Sequence, residues 1–235
     1  MTAPLTTLRE KLARRRKARD RQARLWKRTG QAGHGKAARQ HSRAVAYLRR
    51  LLRRARTISP VSEDAVQFIA SFEGFYPSPY NDPVGYATVG YGHLLGYRPV
   101  QSSDHRTRWV FGQRTAGRLT EVEARRLLAL DLGRDYEPRV RRLFEAGGPL
   151  FGRFDQHLYD ALVSAAYNLG PGAVIPGTPG FETIGRAIAA GDRKAIADAL
   201  LLYDKAGGVA LPGLTRRRLA ERRLILTGNY STEFP

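Results

Sequence analysis

The sequence predicts an α+β, predominantly helical fold: a basic helical arm over residues 1–58, then a domain over residues 59–235 in which a small antiparallel β-hairpin sheet precedes a series of helices. Three observations predict it. The charge is lopsided: residues 1–58 hold 19 Lys/Arg against Glu10 and Asp20, a net of +17, whereas the rest holds 21 Lys/Arg against 19 Asp/Glu, so the overall +19 belongs to the arm. Residues 75–93 are rich in Pro, Gly and Tyr and lack helical periodicity. From residue 120 onward, apolar residues recur at steps of three and four between recognisable caps and stops.

In order along the chain, residues 5–29 read as a helix with a thin apolar stripe (Leu5, Leu8, Leu12, Ala23, Trp26), opened by a Thr7–Glu10 capping-box spacing and broken by Gly30, Gly33 and Gly35. Residues 36–56 carry a cleaner stripe through Ala38, His41, Val45, Leu48, Leu52 and Ala55, which suggests an αα-hairpin ending near Ile58-Ser59-Pro60. Ser62 is the expected N-cap of the next helix, with Glu63 and Asp64 in its first turn, Ala65, Phe68, Ile69 and Phe72 on its apolar face and Gly74 as its stop. Asp82-Pro83-Val84-Gly85 has β-turn composition, and residues 86–91 follow as a short strand. Thr120 and Glu123 open a helix running to about Leu132, and Pro138 suits the first turn of the next. Residues 153–169 (Phe154, Leu158, Leu162, Ala165, Ala166, Leu169) read as the central buried helix, ended by Gly170. Helices follow over 181–190, over 193–204 behind Asp192, and from Thr215 to Leu226 before Gly228. Residues 94–118 give no clear reading.

Composition excludes several classes. With no cysteine there is no disulfide framework, thiolate nucleophile or Cys-ligated zinc. The histidines at 34, 41, 93, 105 and 157 have no metal-ligand spacing, so neither metal nor cofactor is expected. The basic start is not followed by an apolar signal core, and the longest apolar stretch, about Ala199 to Tyr203, is far too short to span a bilayer. The expectation is synthesis in the cytoplasm without a signal peptide, with any action outside it depending on another release route.

The chemistry concentrates in residues 72–93. Glu73 stands at the end of an apolar helix among Phe72, Phe75 and Tyr76; a carboxyl pressed on apolar surface ionises less readily, as a general acid requires. Asp82, nine residues on, lies in a polar turn where it stays ionised and can orient a water; turn hydrogen bonding explains an aspartate there equally. Thr88, six residues further, has a hydroxyl able to donate to a carboxylate and hold the same water, although a β-branched residue on a strand needs no such role. His93, closing Gly90-Tyr91-Gly92-His93, reads as a structural histidine with a buried partner.

Taken jointly, Glu-x8-Asp-x5-Thr followed by Gly-x-Gly-His resembles the phage-type lysozymes, glycoside hydrolase family 24. Downstream, Leu119-Thr120-x-x-Glu123-Ala124, Gln156 with the run from Ala161 to Gly170, and Pro212-Gly213-Leu214 with Arg217, Arg218 and Glu221 continue the resemblance over roughly 60–230 in family order. The resemblance implies a lysozyme-like two-lobe fold with a cleft, and an endolysin-type muramidase cutting the β-1,4 bond between N-acetylmuramic acid and N-acetylglucosamine in bacterial peptidoglycan. Glu73 would be the proton donor, with Asp82 and Thr88 positioning the water; the products would be inverted, which requires carboxyls roughly 6.5–9.5 Å apart. Asn168 would face the cleft as a sugar contact, or cap the central helix; Tyr86 is a second candidate sugar contact. Arg217 and Arg218 would brace the last helix. A virion-associated wall hydrolase, a chitin-type glycosidase and a non-catalytic wall-binding module remain as alternatives, and a monomer is expected.

For the arm, the readings are a solvated spacer, capture of anionic cell-wall polymers or a membrane surface, and nucleic-acid binding. A basic amphipathic helix near an anionic surface gains about 1 kcal/mol per basic residue. No base-reading motif is present, so nucleic-acid binding would be nonspecific and salt-dependent. Beside a wall hydrolase, envelope capture is the preferred reading.

Overall fold

The computed structural model describes residues 3–56, 59–106, 108–110, 113–115 and 118–233. It separates into two units, Met1–Ile58 with Arg141–Phe154, and Ser59–Val140 with Asp155–Pro235.

In the first unit, α1 (Ala3–Thr29) and α2 (Ala32–Arg56) pack along each other across a two-residue connection, Gly30-Gln31, which forces an antiparallel αα-hairpin. Polar ties join the helices, His34 Nδ1 to Gln22 Oε1 at 2.8 Å and Arg15 Nη1 to His41 Nδ1 at 3.3 Å, and Val45 on the apolar stripe is buried. Two expectations fail here. Thr7 and Glu10 are interior to α1, because Pro4 is tolerated in a first turn and nothing between it and Thr7 breaks the helix. Gly33 and Gly35 lie inside α2, since each costs only about 1 kcal/mol and packing on α1 overrides that. The side chains of Leu5, Leu8, Leu12, Leu48, Leu52 and Ala55 lie outside the described residues.

The second unit begins with α3 (Glu63–Ala70), capped by Ser62, whose Oγ accepts from Ala65 N–H at 3.1 Å and donates to buried Asp160 at 2.6 Å. The helix ends earlier than expected. The Phe72 and Glu73 N–H groups bond Ile69 and Ala70 carbonyls in a tightened turn, so Glu73 follows the helix and Gly74 is not its C-terminal stop. A Cβ at Gly74 would lie 2.9 Å from the Tyr76 ring, which would have to shift to make room.

Three strands, β1 (Tyr76–Asn81), β2 (Ala87–Gly90) and β3 (His93–Gly96), form an antiparallel meander in that order. The turn joining the first two is closed by Gly85 N–H on the Asp82 carbonyl at 2.8 Å, and Tyr80 pairs with Thr88 across it. Past β3, the stretch the sequence left unread contains a 3₁₀ turn (Asp104–Arg106) and a hairpin of β4 (Arg108–Val110) and β5 (Gln113–Thr115).

Helix α4 (Glu121–Asp131) starts with both halves of the Thr120–Glu123 capping box in place. It continues through a π-turn (Leu132–Tyr136) directly into α5 (Glu137–Phe144), with no break before Pro138. Proline at 138 cannot donate to residue 134 and crowds its carbonyl. Widening the preceding turn, with Glu137 N–H reaching Leu132 O, accommodates it. Helix α6 (Gln156–Leu169) is capped by Asp155, three residues later than the expected start. It is buried continuously from Leu158 to Ala166. Helices α7 (Glu182–Ala190), α8 (Arg193–Leu200) and α9 (Pro212–Thr227) follow; α3 and α9 pack on α6, α8 on α9 and α7 on α8, with Ile184, Ile188, Ile196, Leu200, Leu224 and Ile225 buried. Helix α8 stops at Leu200 rather than 204. A two-stranded hairpin, β6 (Lys205–Ala206) and β7 (Val209–Ala210), intervenes before α9, which starts at Pro212 because proline suits the first helical position. A smaller core of Val89, Leu119 and Leu127, with Leu95 packed on it, seats the sheet on α4. The architecture is the mostly helical α+β class that the sequence predicts.

Candidate active site

Glu73 is held by a partner 144 residues away. Arg217 of α9 donates from Nη1 to Glu73 Oε1 at 2.6 Å. Arg217 is itself buried: Nε meets Glu221 Oε1 at 3.3 Å, Nη2 is 3.4 Å from the carbonyl and hydroxyl of Ser164 on α6, and the guanidinium carbon sits 5.2 Å from the Phe72 ring centroid and 5.8 Å from that of Tyr167. Ser164 donates to Glu221 at 2.6 Å, and Arg218 pairs with Glu221 at 3.0 Å while donating to Asn168 Oδ1. The spacing Arg-Arg-x-x-Glu puts all three charged groups on one face of α9. The purely apolar setting expected for Glu73 is therefore corrected. Aromatic rings are present, but a guanidinium sandwiched between two of them meets the carboxyl. The Glu73 side chain is 27% exposed, and its Oε2 takes no hydrogen bond from the described residues.

Asp82 closes its own turn: Oδ1 accepts from Val84 N–H at 2.9 Å and Tyr86 N–H at 2.8 Å, leaving Oδ2 without a partner among the described residues. Thr88 is buried on β2 and its hydroxyl donates to the Tyr86 carbonyl at 3.1 Å, not to a carboxylate. Burial pushes up the phenol pKa of Tyr80, opposite Thr88 on β1, and its neighbours Tyr76, Asp82 and Glu73 act in the same direction.

Glu73 lies on a polar cleft of about 720 Å³ lined also by Gly92, Leu94, Tyr97, Asp131, Arg134, Asp135, Tyr136, Tyr167 and Asn168. Asp82, Thr88 and Tyr86 are not among its lining residues; Tyr86 instead sets its ring edge-on to Tyr97, centroids 5.4 Å apart at 84°. Asn168 does line the cleft, and its side-chain oxygen accepts from Arg218. His93 Nδ1 lies 2.8 Å from Asp131 Oδ2, both largely buried, tying β3 to the end of α4. The π-turn brings Arg134, Asp135 and Tyr136 to the same wall, with Arg134 clamped by Asp131 at 3.1 Å and Asp135 at 2.8 Å. Tyr167 donates to the Tyr91 carbonyl at 2.8 Å. This close approach needs glycine at 92, where φ is +88° and a Cβ would lie 3.1 Å from the Tyr167 oxygen. Burial, then the nearby carboxylate of Glu73, pushes the Tyr167 phenol pKa up and keeps it a donor.

The family model described as Phage lysozyme matches residues 70–221, from just before Glu73 to Glu221. The chain belongs to the phage lysozyme family. The match takes in every element of this phage lysozyme domain that lines the cleft. The endolysin of Bacillus phage B103 is 31% identical over 171 residues, covering 72% of this chain and 54% of that protein. The chain thus spans about half the length of the curated relatives it matches. Among solved structures, an endolysin from Escherichia coli O157:H7 phage FAHEc1 is similar with a TM-score of 0.53 at 24% identity, over 74% of this chain and 98% of that one, a likeness of fold. The muramidase domain of SpmX from Asticaccaulis excentricus is similar with a TM-score of 0.50 at 28% identity, over 71% of this chain and 97% of that one.

Several residues in and around the phage lysozyme cleft escape the sequence. Arg217 stood out only as a helix brace, and its reach to Glu73 depends on how α9 crosses α6. Tyr80, Tyr97, Arg134 and Tyr136 carry no motif. The one signal for the last two was Pro138, whose conflict with a continuous helix marks the π-turn.

Proposed function

We propose that this phage lysozyme hydrolyses the β-1,4 bond between N-acetylmuramic acid and N-acetylglucosamine in bacterial peptidoglycan, as an endolysin acting on the cell wall after release from the cytoplasm. The observation that carries the reading is Glu73 on the cleft wall with Oε1 held by Arg217 and Oε2 unengaged. A carboxyl gripped on one oxygen presents the other in a constant direction. In this scheme Oε2 carries the proton and delivers it to the glycosidic oxygen as the bond to the anomeric carbon breaks. Water attacks that carbon from the opposite face and gives its proton to Oδ2 of Asp82, whose Oδ1 is occupied by the turn. The Thr88 hydroxyl, already donating to Tyr86, has lone pairs left to accept from the same water. The products carry inverted configuration.

Glu73→Gln tests the assignment: release of reducing sugar from purified peptidoglycan is expected to fall by at least about a thousandfold, the scale of losing a general acid. Substantial remaining turnover by the folded variant removes Glu73 from the role. NMR of the first-formed product decides the stereochemistry, and a retained β anomer sinks the inverting scheme. Running the parent on chitin in parallel separates a muramidase from a chitin-type glycosidase.

For the arm, the reading is an electrostatic tether to anionic cell-wall polymers. Support comes from the net +17 of residues 1–58 and from the packing of α1 on α2, which turns apolar residues such as Val45 inward and leaves Arg14, Arg16, Arg21 and Arg43 exposed. Among the described residues no helix is long and apolar enough to cross a membrane. Co-sedimentation with intact walls across a salt series, full chain against residues 59–235, checks it; equal binding by both chains defeats the tether.

A further inference from the structure

Tyr97 is 80% exposed, yet it lines the cleft and the backbone beside it is tied by several hydrogen bonds. A lone exposed ring is ordinary on a protein surface; what sets this one apart is its place on the cleft and the backbone that delivers it. The strand that delivers it is irregular. Thr88 pairs with Leu94 but Ala87 pairs with Gly96, so one step on β2 answers two on β3 and Leu95 is an inserted residue. Regular alternation would place Tyr97 on the side of Leu95, against the small core of Val89, Leu119 and Leu127. The bulge reverses the parity and sends Tyr97 to the cleft with Leu94.

The backbone on the far side of the ring is then locked. The Arg98 carbonyl accepts from Ala87 N–H at 2.7 Å. The Arg98 guanidinium makes a two-pronged pair with Asp104, at 2.7 and 2.9 Å, and Asp104 also accepts from Gln101 N–H at 2.8 Å. Asn81 accepts from Val100 N–H at 2.7 Å. Tyr86 supports the ring edge-on at 5.4 Å, which accounts for Tyr86 outside the cleft as a buttress.

From this we propose that Tyr97 is a carbohydrate platform: a flat ring on the sheet-side rim of the cleft against which one pyranose of the glycan strand packs its C–H face, with Tyr86 as positioning residue. A bulge, a clamped loop and a supporting ring spend order on presenting an otherwise unburied aromatic surface, and a sugar face is the partner that such a ring fits inside a polar, carboxylate-lined cleft. The proposal rests on the glycan-hydrolase reading above.

The experiment uses the full chain. Tyr97→Ala, Tyr97→Leu, Tyr97→Phe and Tyr86→Ala are compared with the parent in peptidoglycan hydrolysis, and in calorimetric binding of a soluble N-acetylglucosamine hexamer in a Glu73→Gln background. For Tyr97→Ala and Tyr97→Leu, the dissociation constant and KM should rise about tenfold with kcat little changed; Tyr97→Phe should recover most of the affinity, because the ring face and not the hydroxyl is used. Tyr86→Ala should raise KM by a smaller factor, with the circular dichroism spectrum unchanged. If Tyr97→Ala binds and turns over like the parent, the platform is refuted while the hydrolase reading stands. If Tyr97→Leu matches the parent, generic apolar contact replaces stacking and the proposal fails. If the parent neither cleaves peptidoglycan nor binds the hexamer, the hydrolase reading falls and the platform with it.

Discussion

Replacing Arg217 with methionine removes a buried guanidinium while keeping a side chain of similar reach. The lost interactions are the 2.6 Å contact to Glu73, the 3.3 Å contact to Glu221 and the stacking between Phe72 and Tyr167. Removing one member of a buried ion pair costs about 3–5 kcal/mol, because the other charge stays behind unpaired. Here Glu221 keeps Ser164 at 2.6 Å and Arg218 at 3.0 Å, which pulls its share to the low end of that range. Glu73 is 27% exposed and can recover part of its solvation from water, so its share is about 1 kcal/mol or less. The total is about 3–4 kcal/mol. For a domain of this size that corresponds to a fall in Tm of roughly 10 °C. Urea unfolding followed by circular dichroism measures it, and a double-mutant cycle with Glu73→Gln isolates the Glu73–Arg217 term, expected near 1 kcal/mol. A loss under about 1 kcal/mol for Arg217→Met would refute the view that this guanidinium joins the turn after α3 to α6 and α9.

Two further outcomes follow from the same kind of accounting. Asp160 is fully buried and accepts from Ser62 N–H at 3.2 Å, Ser62 Oγ at 2.6 Å, Gln156 Nε2 at 2.9 Å and Tyr230 at 2.6 Å, so Asp160→Ala should destabilise by about 2–4 kcal/mol in urea unfolding through orphaned donors. Thermal unfolding indistinguishable from the parent would contradict it. Asp104 is held down to about 2 from an ordinary 3.8, first by the Arg98 hydrogen bonds and then by the Gln101 N–H. Because its folded pKa is depressed, the clamp's contribution is present above about pH 4 and lost as pH falls through about 2. A carboxyl ¹³C titration should therefore show Asp104 ionised at pH 3, and a midpoint near 3.8 would argue against the clamp.

Local rules account for the features that were legible. Ser62, Thr120 and Asp192 were readable as caps because a cap needs only its own side chain and the next three N–H groups. The turn at Asp82 and the stop at Gly228 are equally short-range. Where such rules failed, a distant or competing interaction decided. Gly33 and Gly35 stayed helical because α2 lies on α1. The hairpins β4–β5 and β6–β7 have weak local signals, being three and two residues per strand. Glu73 was recognisable from its spacing to Asp82 and Thr88, but its ionic partner was not, because nothing near residue 73 encodes the crossing of α9 over α6.

By itself the sequence determined the concentration of a net +17 within residues 1–58, the helical majority, the small sheet and the family motif, all of which depend on composition or on spacings within one or two turns. Tertiary structure alone decided what surrounds the carboxyl of Glu73, which residues share its cleft and which way Tyr97 faces. Those outcomes depend on a salt bridge spanning 144 residues, a π-turn that accommodates Pro138 and a single inserted residue in β3. Each is a long-range or register-level effect, and side-chain spacing along one segment carries no record of it.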